Sequence, residues 1–497
     1  MPDQSPIHEH VKPLAQPRRR LVLAAAMMAM FISAVESSIV ATAMPTIVAE
    51  LGGFQLFSWV FSAYLLTQTV TIPLYGRMAD LYGRKRVFYL GTGIFIVGSL
   101  LCGFAPGMVS LIVFRAIQGF GSGAILPIAT TIVADVYTGE ERARIQGYLS
   151  SVWGVAAILG PTLGAFLVQH AYWPLIFWGN VPIGIAAIAM IAAFLNERLI
   201  PRPHQVDYFG AALMTIGVGL LMLVMTEADN FSSGSMAAMA AAGLVALAWL
   251  VARERRAAEP MMPLALWKNR VVSTSNLGGF SMGAAMMGVT AFLPAYIQGV
   301  MGESATVAGI ALTIMSLTWS GASTISGQVM VRTSFRTSAA LGGACLFVGS
   351  VMLVMMIPDR GLIWATVASC LVGAGLGACN TTFLVAIQSN VDWQMRGLAT
   401  SSNMFSRMMG RSLGAAVFGA VLNYGVNRHL PGGGDVLDKL MDPTFRDRID
   451  PAEIGRLTAV IADSLRDVYI IGAVTAAMTL AITLAFPARL RPSKKLH

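Results

Sequence analysis

The sequence has little charge: Asp, Glu, Lys and Arg make up only 12 % of its 497 residues. A soluble chain carries about 25 %. This one could not cover the surfaces of the three or so soluble domains that its length would otherwise make. Cysteine is scarce too. Cys102, Cys345, Cys370 and Cys379 stand in apolar runs without Cys-x-x-Cys spacing, which argues against a disulfide framework or a metal site and for packing roles. There is no Gly-Lys pair, no Asp-Lys-Thr-Gly and no His-Glu-x-x-His, so ATP-driven pumping and metal-dependent hydrolysis lack their machinery. The six histidines are scattered over termini and loops, with His170 and His204 bordering apolar runs. No metal and no cofactor is expected, and enzymatic activity is not.

Apolar sequence is what the chain has in abundance: 56 % hydrophobic residues, with 50 glycines and 30 methionines. A membrane-crossing helix needs about 20 mainly apolar residues. Candidates fall near 21–45, 56–76, 87–105, 108–135, 143–168, 172–195, 208–226, 235–252, 272–298, 305–329, 338–357, 362–388, 400–426 and 465–487. Their unbroken apolarity excludes barrel strands, which alternate. The expected class is an all-α integral membrane protein with fourteen spans, grouped as six, two and six. Arg18-Arg19-Arg20 and Ala41-Thr42-Ala43 mimic a cleavable leader, but the run between them is too long and holds Glu36, so it is read as a retained span.

The net charge of +9 suggests a nucleic-acid binder only until the basic residues are placed. With the N-terminus inside, inside segments hold 24 of the 34 lysines and arginines. They are Lys12 and Arg18–Arg20; Arg77 and Arg84–Arg86; Arg142 and Arg144; Arg198 and Arg202; Arg253, Arg255, Arg256, Lys268 and Arg270; Arg332 and Arg336; Arg396; Arg489, Arg491, Lys494 and Lys495. Outside segments hold seven, and Arg115, Arg407 and Arg411 fall within spans. One missing span would invert every later loop and spoil this bias. Both ends are therefore expected in the cytoplasm of a cell whose plasma (inner) membrane carries the chain, with lipid rather than nucleic acid around it. The expected division is a cytoplasmic tail 1–20, a six-helix bundle 21–195, a linker region 196–271 with two extra spans, a second six-helix bundle 272–487 that includes an outside loop 427–464, and a cytoplasmic tail 488–497. That loop carries Asp435, Asp438, Asp442, Asp447, Asp450, Glu453 and Asp463 without catalytic spacing, and is read as a short helical cap.

The two six-span halves echo each other. Gly119, Gly121, Gly123 and Arg142 recur 254 residues later as Gly373, Gly375, Gly377 and Arg396, and Gly160 recurs as Gly414. Duplicated halves around a central path are a transporter architecture, with the substrate site near the midplane.

An ionisable group in a span costs about 2.5–3.5 kcal/mol on insertion scales, so each one needs a reason. Glu36 is the only acidic side chain near the middle of any span. It is a candidate proton-coupling group, or else a structural carboxylate paired with Arg115 or a hydroxyl. Arg115 stays charged and could hold that carboxylate ionised until a proton or substrate competes, or could simply tether helices; Gln118 adds a neutral hydrogen-bonding group. After the second span comes Gly76-Arg77-Met78-Ala79-Asp80-Leu81-Tyr82-Gly83-Arg84-Lys85-Arg86. Asp80 can cap a turn, and Asp135 ends the fourth span on the same side, within reach of Arg84. A latch of Asp80, Arg84 and Asp135 would favour one access state. Met30, Phe31, Trp59, Tyr64, Trp153, Met286 and Met287 are candidate liners of an adaptable apolar cavity, with Gln118, Arg407 and Arg411 as its polar members. Helix packing or lipid contact is the alternative role for each apolar one.

These residues carry a family resemblance. The Gly76–Arg86 loop resembles motif A of the major facilitator superfamily, and Arg115 to Pro127 resembles motif B, whose arginine is associated with proton transfer. Gly154 with Gly160-Pro161-Thr162-Leu163-Gly164 is similar to motif C, found mainly in antiporters and associated with sealing the closed state. Ile39-Val40-Ala41-Thr42-Ala43-Met44-Pro45 resembles the first-span motif of the fourteen-span drug:proton antiporter branch. Asp207, Gly210 and Leu213 match that branch's seventh-span motif, and Arg407, Gly410, Gly414, Ala416 and Gly419 its thirteenth. Glu36 departs from the usual aspartate, and Arg411 stands where a glycine is frequent. The second motif-A copy is reduced to Gly327, Arg332 and Arg336, with Val331 in place of the acid. The resemblance implies a major facilitator fold and proton-coupled efflux of a small lipophilic or cationic compound, worked by a monomer. Alternatives are export of an endogenous metabolite, siderophore or lipid, a proton-coupled importer, and a non-transport membrane protein.

Overall fold

The computed structural model describes residues 16–52, 56–137, 139–197, 207–226, 231–254, 264–357, 360–430 and 451–487. Among them there is no strand, and the chain runs as long helices. In order they are α1 Gln16–Leu51, α2 Phe57–Tyr82, α3 Arg84–Gly103, α4 Met108–Val136, α5 Gly139–His170, α6 Asn180–Phe194, α7 Tyr208–Thr226 and α8 Ser233–Glu254. Then follow α9 Arg270–Thr290, α10 Ala305–Arg332, α11 Phe335–Val354, α12 Gly361–Asn390, α13 Arg396–His429 and α14 Pro451–Leu484. A short turn Leu175–Trp178 precedes α6, and a π-turn Tyr296–Val300 extends α9. An all-helical chain is what an apolar solvent demands, because every backbone N–H and C=O must be satisfied within its own segment.

Eleven of these stretches are long and apolar enough to cross a membrane. The other three, α2, α7 and α13, fall short for visible reasons. The apolar part of α7 spans only Phe209–Met225, whereas α2 and α13 spend their polar side chains on the molecule's interior. Thr69, Thr71 and Gln68 of α2 and Thr400, Ser401, Ser402 and Asn403 of α13 are all buried. The molecule's outward surface carries apolar side chains instead, as with Val245 of α8 and Ile363 of α12, which are 64 % and 80 % exposed.

The two halves are built alike. In the first, α4 packs on α2 and α3, and α5 on α1; in the second, α12 packs on α10 and α11, and α13 on α9. The repeated glycines explain how these helices approach so closely. A Cβ at Gly121 would lie 2.3 Å from the Phe95 nitrogen and 2.6 Å from the Gly91 oxygen. At Gly375 it would lie 2.5 Å from the Leu346 nitrogen and 2.7 Å from the Gly342 oxygen. The halves meet through α5 on α10 and α2 on α13, two crossings that exchange under the same internal symmetry. The hairpin α7–α8 stands outside this arrangement. Leu213, Met214 and Val218 of α7 pack with Val70 of α2 and with Phe405 and Met409 of α13.

The outside loop expected at 427–464 is shorter in the structure. Residues 427–429 complete α13, and α14 begins at Pro451. Pro at a first helical position and Glu453 in the first turn favour that start. Leu457, Ile461, Leu465 and Val468 then form a helical stripe buried in the second half's core. Asp435, Asp438, Asp442, Asp447 and Asp450 lie outside the described residues, as do both tails.

Gly121→Ala and Gly375→Ala should each destabilise the detergent-solubilised protein by about 1–3 kcal/mol, the usual cost of overpacking, seen as a lowered thermal midpoint. Gly93→Ala is the control, since nothing lies within 4 Å of its added carbon. Equal midpoints for all three would refute the close-crossing reading.

Candidate functional site

Three groups of polar residues interrupt the apolar interior: a buried ion pair in the first half, a sealed end between the halves, and a central cavity.

The ion pair joins α1 to α4. Arg115 and Glu36 are 1 % and 0 % exposed, and Arg115 Nη1 donates to Glu36 Oε1 at 2.5 Å. The second carboxylate oxygen accepts from Asn180 Nδ2 of α6, also at 2.5 Å. Arg115 makes further contacts around this pair. Its Nε donates to the Val60 carbonyl at 3.2 Å, Nη1 also reaches Gln118 Oε1 at 2.6 Å, and the guanidinium lies 4.2 Å from the Tyr64 ring centre. Gln118 passes the network on to Ser99 at 2.7 Å. The Tyr64 hydroxyl shares a hydrogen bond of 2.7 Å with Ser122, which also accepts from Gln68 at 2.8 Å and lies 3.2 Å from Ser33. Deleting one member of a buried pair typically costs about 3–5 kcal/mol because the other charge is left uncompensated.

The sealed end lies where α2 crosses α13. Gly83, with φ of +92°, makes the turn between α2 and α3 in a conformation that L side chains avoid. That turn brings Arg84 back beside Asp80, four residues earlier, at 2.9 Å. Arg84 Nε is 3.1 Å from Asp135 at the end of α4, its Nη2 donates to the Trp393 carbonyl at 2.5 Å, and its guanidinium stacks on the Trp393 ring at 3.7 Å. Asp80 does more than pair with Arg84. Its two oxygens accept the Gly397 and Leu398 N–H groups at 2.9 and 2.8 Å, so a first-half carboxylate caps the N-terminus of a second-half helix, where negative charge is favoured. Gly76 permits the approach, since a Cβ there would lie 1.8 Å from Ser401 Oγ.

Two further arginines cross between the halves at the same end. Arg396 of α13 pairs with Asp135. Arg142 of α5 donates to the Ala134 carbonyl at 2.5 Å and to the Gln388 carbonyl of α12 at 2.8 Å. They are the two arginines related by the 254-residue offset. That spacing marks the repeat in the sequence, but which carbonyls and carboxylates the pair reaches depends on the crossing of the halves. Trp393, Asn180 and Gln388 carry no motif signal at all. In the second half the matching crossing keeps its glycine but has Val331 in place of the acid: a Cβ at Gly327 would sit 2.4 Å from the Ala143 oxygen, while Arg332 and Arg336 are exposed.

The glycines of the motif-C segment divide between two neighbours of α5. A Cβ on Gly154 would lie 3.0 Å from Ser320 of α10, across the interface of the halves. Those on Gly160 and Gly164 would lie 2.0 Å from Ser38 Oγ and 3.0 Å from the Ile39 oxygen of α1, within the first half. Pro161 is in α5 between them.

Between the halves, on the side away from the sealed end, is a cavity of about 1020 Å³. Met30, Trp153, Met286, Arg407 and Arg411 line it. Phe31, Tyr64, Gln118 and Met287 are not among its lining residues. Tyr64 and Gln118 belong to the Arg115 network, and Phe31 and Met287 pack against the cores of their own halves. Trp59 instead meets Phe231 edge-on at 6.4 Å. Helical phase separates these roles on α1. Met30, Ala34, Ser38 and Ala41 face the cavity, whereas Glu36 faces α4 and α6. Sequence alone places Tyr64 and Phe31 near the path but not on which side of their helices. At the hairpin, Asp207 pairs with Arg253 at 2.9 Å and accepts the Gly210 N–H, which accounts for two members of the seventh-span motif as a local helix cap. Among the described residues no group of His, Cys, Asp and Glu is arranged to hold a metal.

Comparison with known proteins agrees with this architecture. The chain is 34 % identical over 411 residues to the multidrug transporter protein MdtP of Bacillus subtilis, covering 82 % of this chain and 76 % of that one. It is 32 % identical over 494 residues to multidrug resistance protein 3 of the same organism, with 96 % of each chain covered. Its fold resembles the crystal structure of the human organic anion transporter MFSD10, with a TM-score of 0.60 at 14 % identity over 93 % of this chain and 100 % of that one. It also resembles the proton:xylose symporter XylE, with a TM-score of 0.60 at 10 % identity over 92 % and 95 %. At such identities the two structures speak to the fold alone. The Major Facilitator Superfamily profile matches residues 26–415, and the chain belongs to that superfamily of membrane transporters.

Proposed function

We propose that the protein is a proton-coupled exporter of small lipophilic compounds that works by alternating access, with fourteen spans and both termini in the cytoplasm of a plasma membrane. The observation that carries this reading is the ion pair of Glu36 and Arg115 on the helix that also lines the cavity. The carboxylate is sealed from solvent, yet Ala34 and Ser38, two residues to either side of it, face the central cavity. A substrate that displaces α1 must therefore disturb the pair, and a proton that neutralises Glu36 must alter how α1 sits. That is the reciprocity that coupling between two ligands requires.

On the arginine bias, the sealed end is cytoplasmic, so the conformation is the one open to the outside. Four contacts between the halves favour it: Asp80 on the α13 terminus, Arg84 on Trp393, Arg396 on Asp135 and Arg142 on Gln388. Inward opening requires that all be broken together, which makes the two access states discrete. The names of the Bacillus relatives, both multidrug proteins, support an outward direction and a lipophilic substrate.

Arg84→Ala leaves Asp80 and Asp135 without their shared cation and should shift the protein toward the inward-open state. With spin labels at Cys-substituted Arg86 and Arg336, exposed residues on opposite halves, the distance distribution should lengthen. An unchanged distribution would refute the latch. Glu36→Gln, reconstituted in liposomes, should lower pH-driven uphill transport at least tenfold while substrate exchange without a pH gradient persists. Full uphill transport by this variant would sink the coupling role, and Glu36→Asp should retain it.

A further inference from the structure

We propose, on the transport reading above, that the central cavity takes anionic amphipaths: an apolar body carrying one carboxylate, phosphate or sulfonate group. The cavity's lining contains two ionisable side chains, Arg407 and Arg411, and no Asp, Glu, Lys or His among the described residues. Both arginines are half-buried on α13, four residues apart, and so on one face of the helix and one turn from each other. Like charges at that spacing repel. Neither is neutralised by the protein. Arg407 donates to the neutral amide of Asn380, and no hydrogen bond or ion pair holds Arg411 among the described residues.

The contrast with the other intramembrane arginine is direct. Arg115 has a carboxylate against it and two neutral acceptors, and lies outside the cavity. A guanidinium within a membrane-spanning helix without a counter-charge is costly, and here two half-buried ones line a space of about 1020 Å³, large enough for a drug-sized molecule. The ligand is the remaining source of negative charge. Its other requirements are met nearby. Trp153, Trp319, Met30 and Met404 offer apolar and aromatic surface to the body of the ligand. Arginine's planar fork suits a two-oxygen anion. A cation would meet two like charges and no acid.

The test uses three probes with one ring system: 4-(1-naphthyl)butyrate, its methyl ester and the matching trimethylammonium compound. Binding to the detergent-solubilised full chain is measured by calorimetry. The carboxylate should bind at least tenfold tighter than the ester, and the cation more weakly than either. Arg411→Gln and Arg407→Gln should each bring the carboxylate-to-ester ratio toward one, and Arg411→Lys should keep most of the preference. A wild-type protein that binds the cation as tightly as the carboxylate overturns the assignment, whether or not the variants fold. So does a carboxylate preference untouched by both glutamine variants. Displacement of the carboxylate by phosphatidylglycerol and not by phosphatidylcholine identifies the anion's source as a lipid; no displacement identifies a free small anion. Exchange of the ester driven by a pH gradient is measured in parallel. Lost charge preference with intact exchange overturns this assignment alone, whereas intact preference without exchange overturns the transport reading alone.

Discussion

Burying charge where there is no water is the constraint on which the rest of this structure depends. The chain meets it by keeping charge rare and by giving nearly every inward charge a specific partner. Glu36 and Arg115 neutralise each other, and Asn180, Gln118 and the Val60 carbonyl take up the donors and acceptors left over. The hydroxyls of Tyr64, Ser122 and Ser33 extend that satisfaction outward through the first half's core. A proton on Glu36 would remove the counter-charge of Arg115, and the hydrogen bonds around the pair are linked through one network. That linkage is what would make one proton consequential.

At the sealed end the same constraint is met by helix termini. Asp80 accepts two N–H groups that open α13, and Glu197 accepts the Arg84 and Lys85 N–H groups that open α3 at 2.8 and 2.9 Å. One carboxylate holds a helix of the other half and one holds a helix of its own half. Because Asp80 caps α13 directly, separation of the halves exposes a helix terminus as well as breaking the Asp80–Arg84 surroundings. The interface therefore holds its preference in the Asp80 carboxylate on the backbone N–H groups of α13, and the side chains of Arg84, Arg396 and Arg142 add to it.

How much of this was legible in the sequence follows from the range of each interaction. Repeats, span-length runs and the glycine ladder are local patterns, and the paired helices of the two halves follow from them. Arg84 with Asp80 is also local, four residues apart across a glycine turn. Glu36 with Arg115 could be anticipated because two opposite charges in a membrane interior have few other partners. Asn180, Trp393 and Gln388 could not, since an amide or an indole in an apolar run has many possible neighbours and only the crossing of distant helices selects one. The cavity residues divide for a related reason. Residue type marks Tyr64, Gln118, Phe31 and Met287 as suitable liners, but helical phase turns them toward other helices. The expected loop at 427–464 shortened because Leu457, Ile461 and Leu465 find a core to pack on, a tertiary reward that a hydropathy run interrupted by charges does not announce.

The charge of the substrate decides what energy source the proposed cycle can use. One proton inward against one monovalent cation outward moves no net charge, so only the pH difference would drive it. An anion outward against the same proton carries two positive charges inward in effect. Each charge moved along a membrane potential of 100 mV contributes about 2.3 kcal/mol, so anion export would gain from the potential twice over. On these proposals the two arginines of α13 and the carboxylate of α1 would have separate tasks: the former would supply charge that the substrate completes, and the latter charge that the proton removes. That division would fit the placement of Glu36 away from the cavity. A carboxylate facing Arg407 and Arg411 would neutralise the site that an anion is needed to fill.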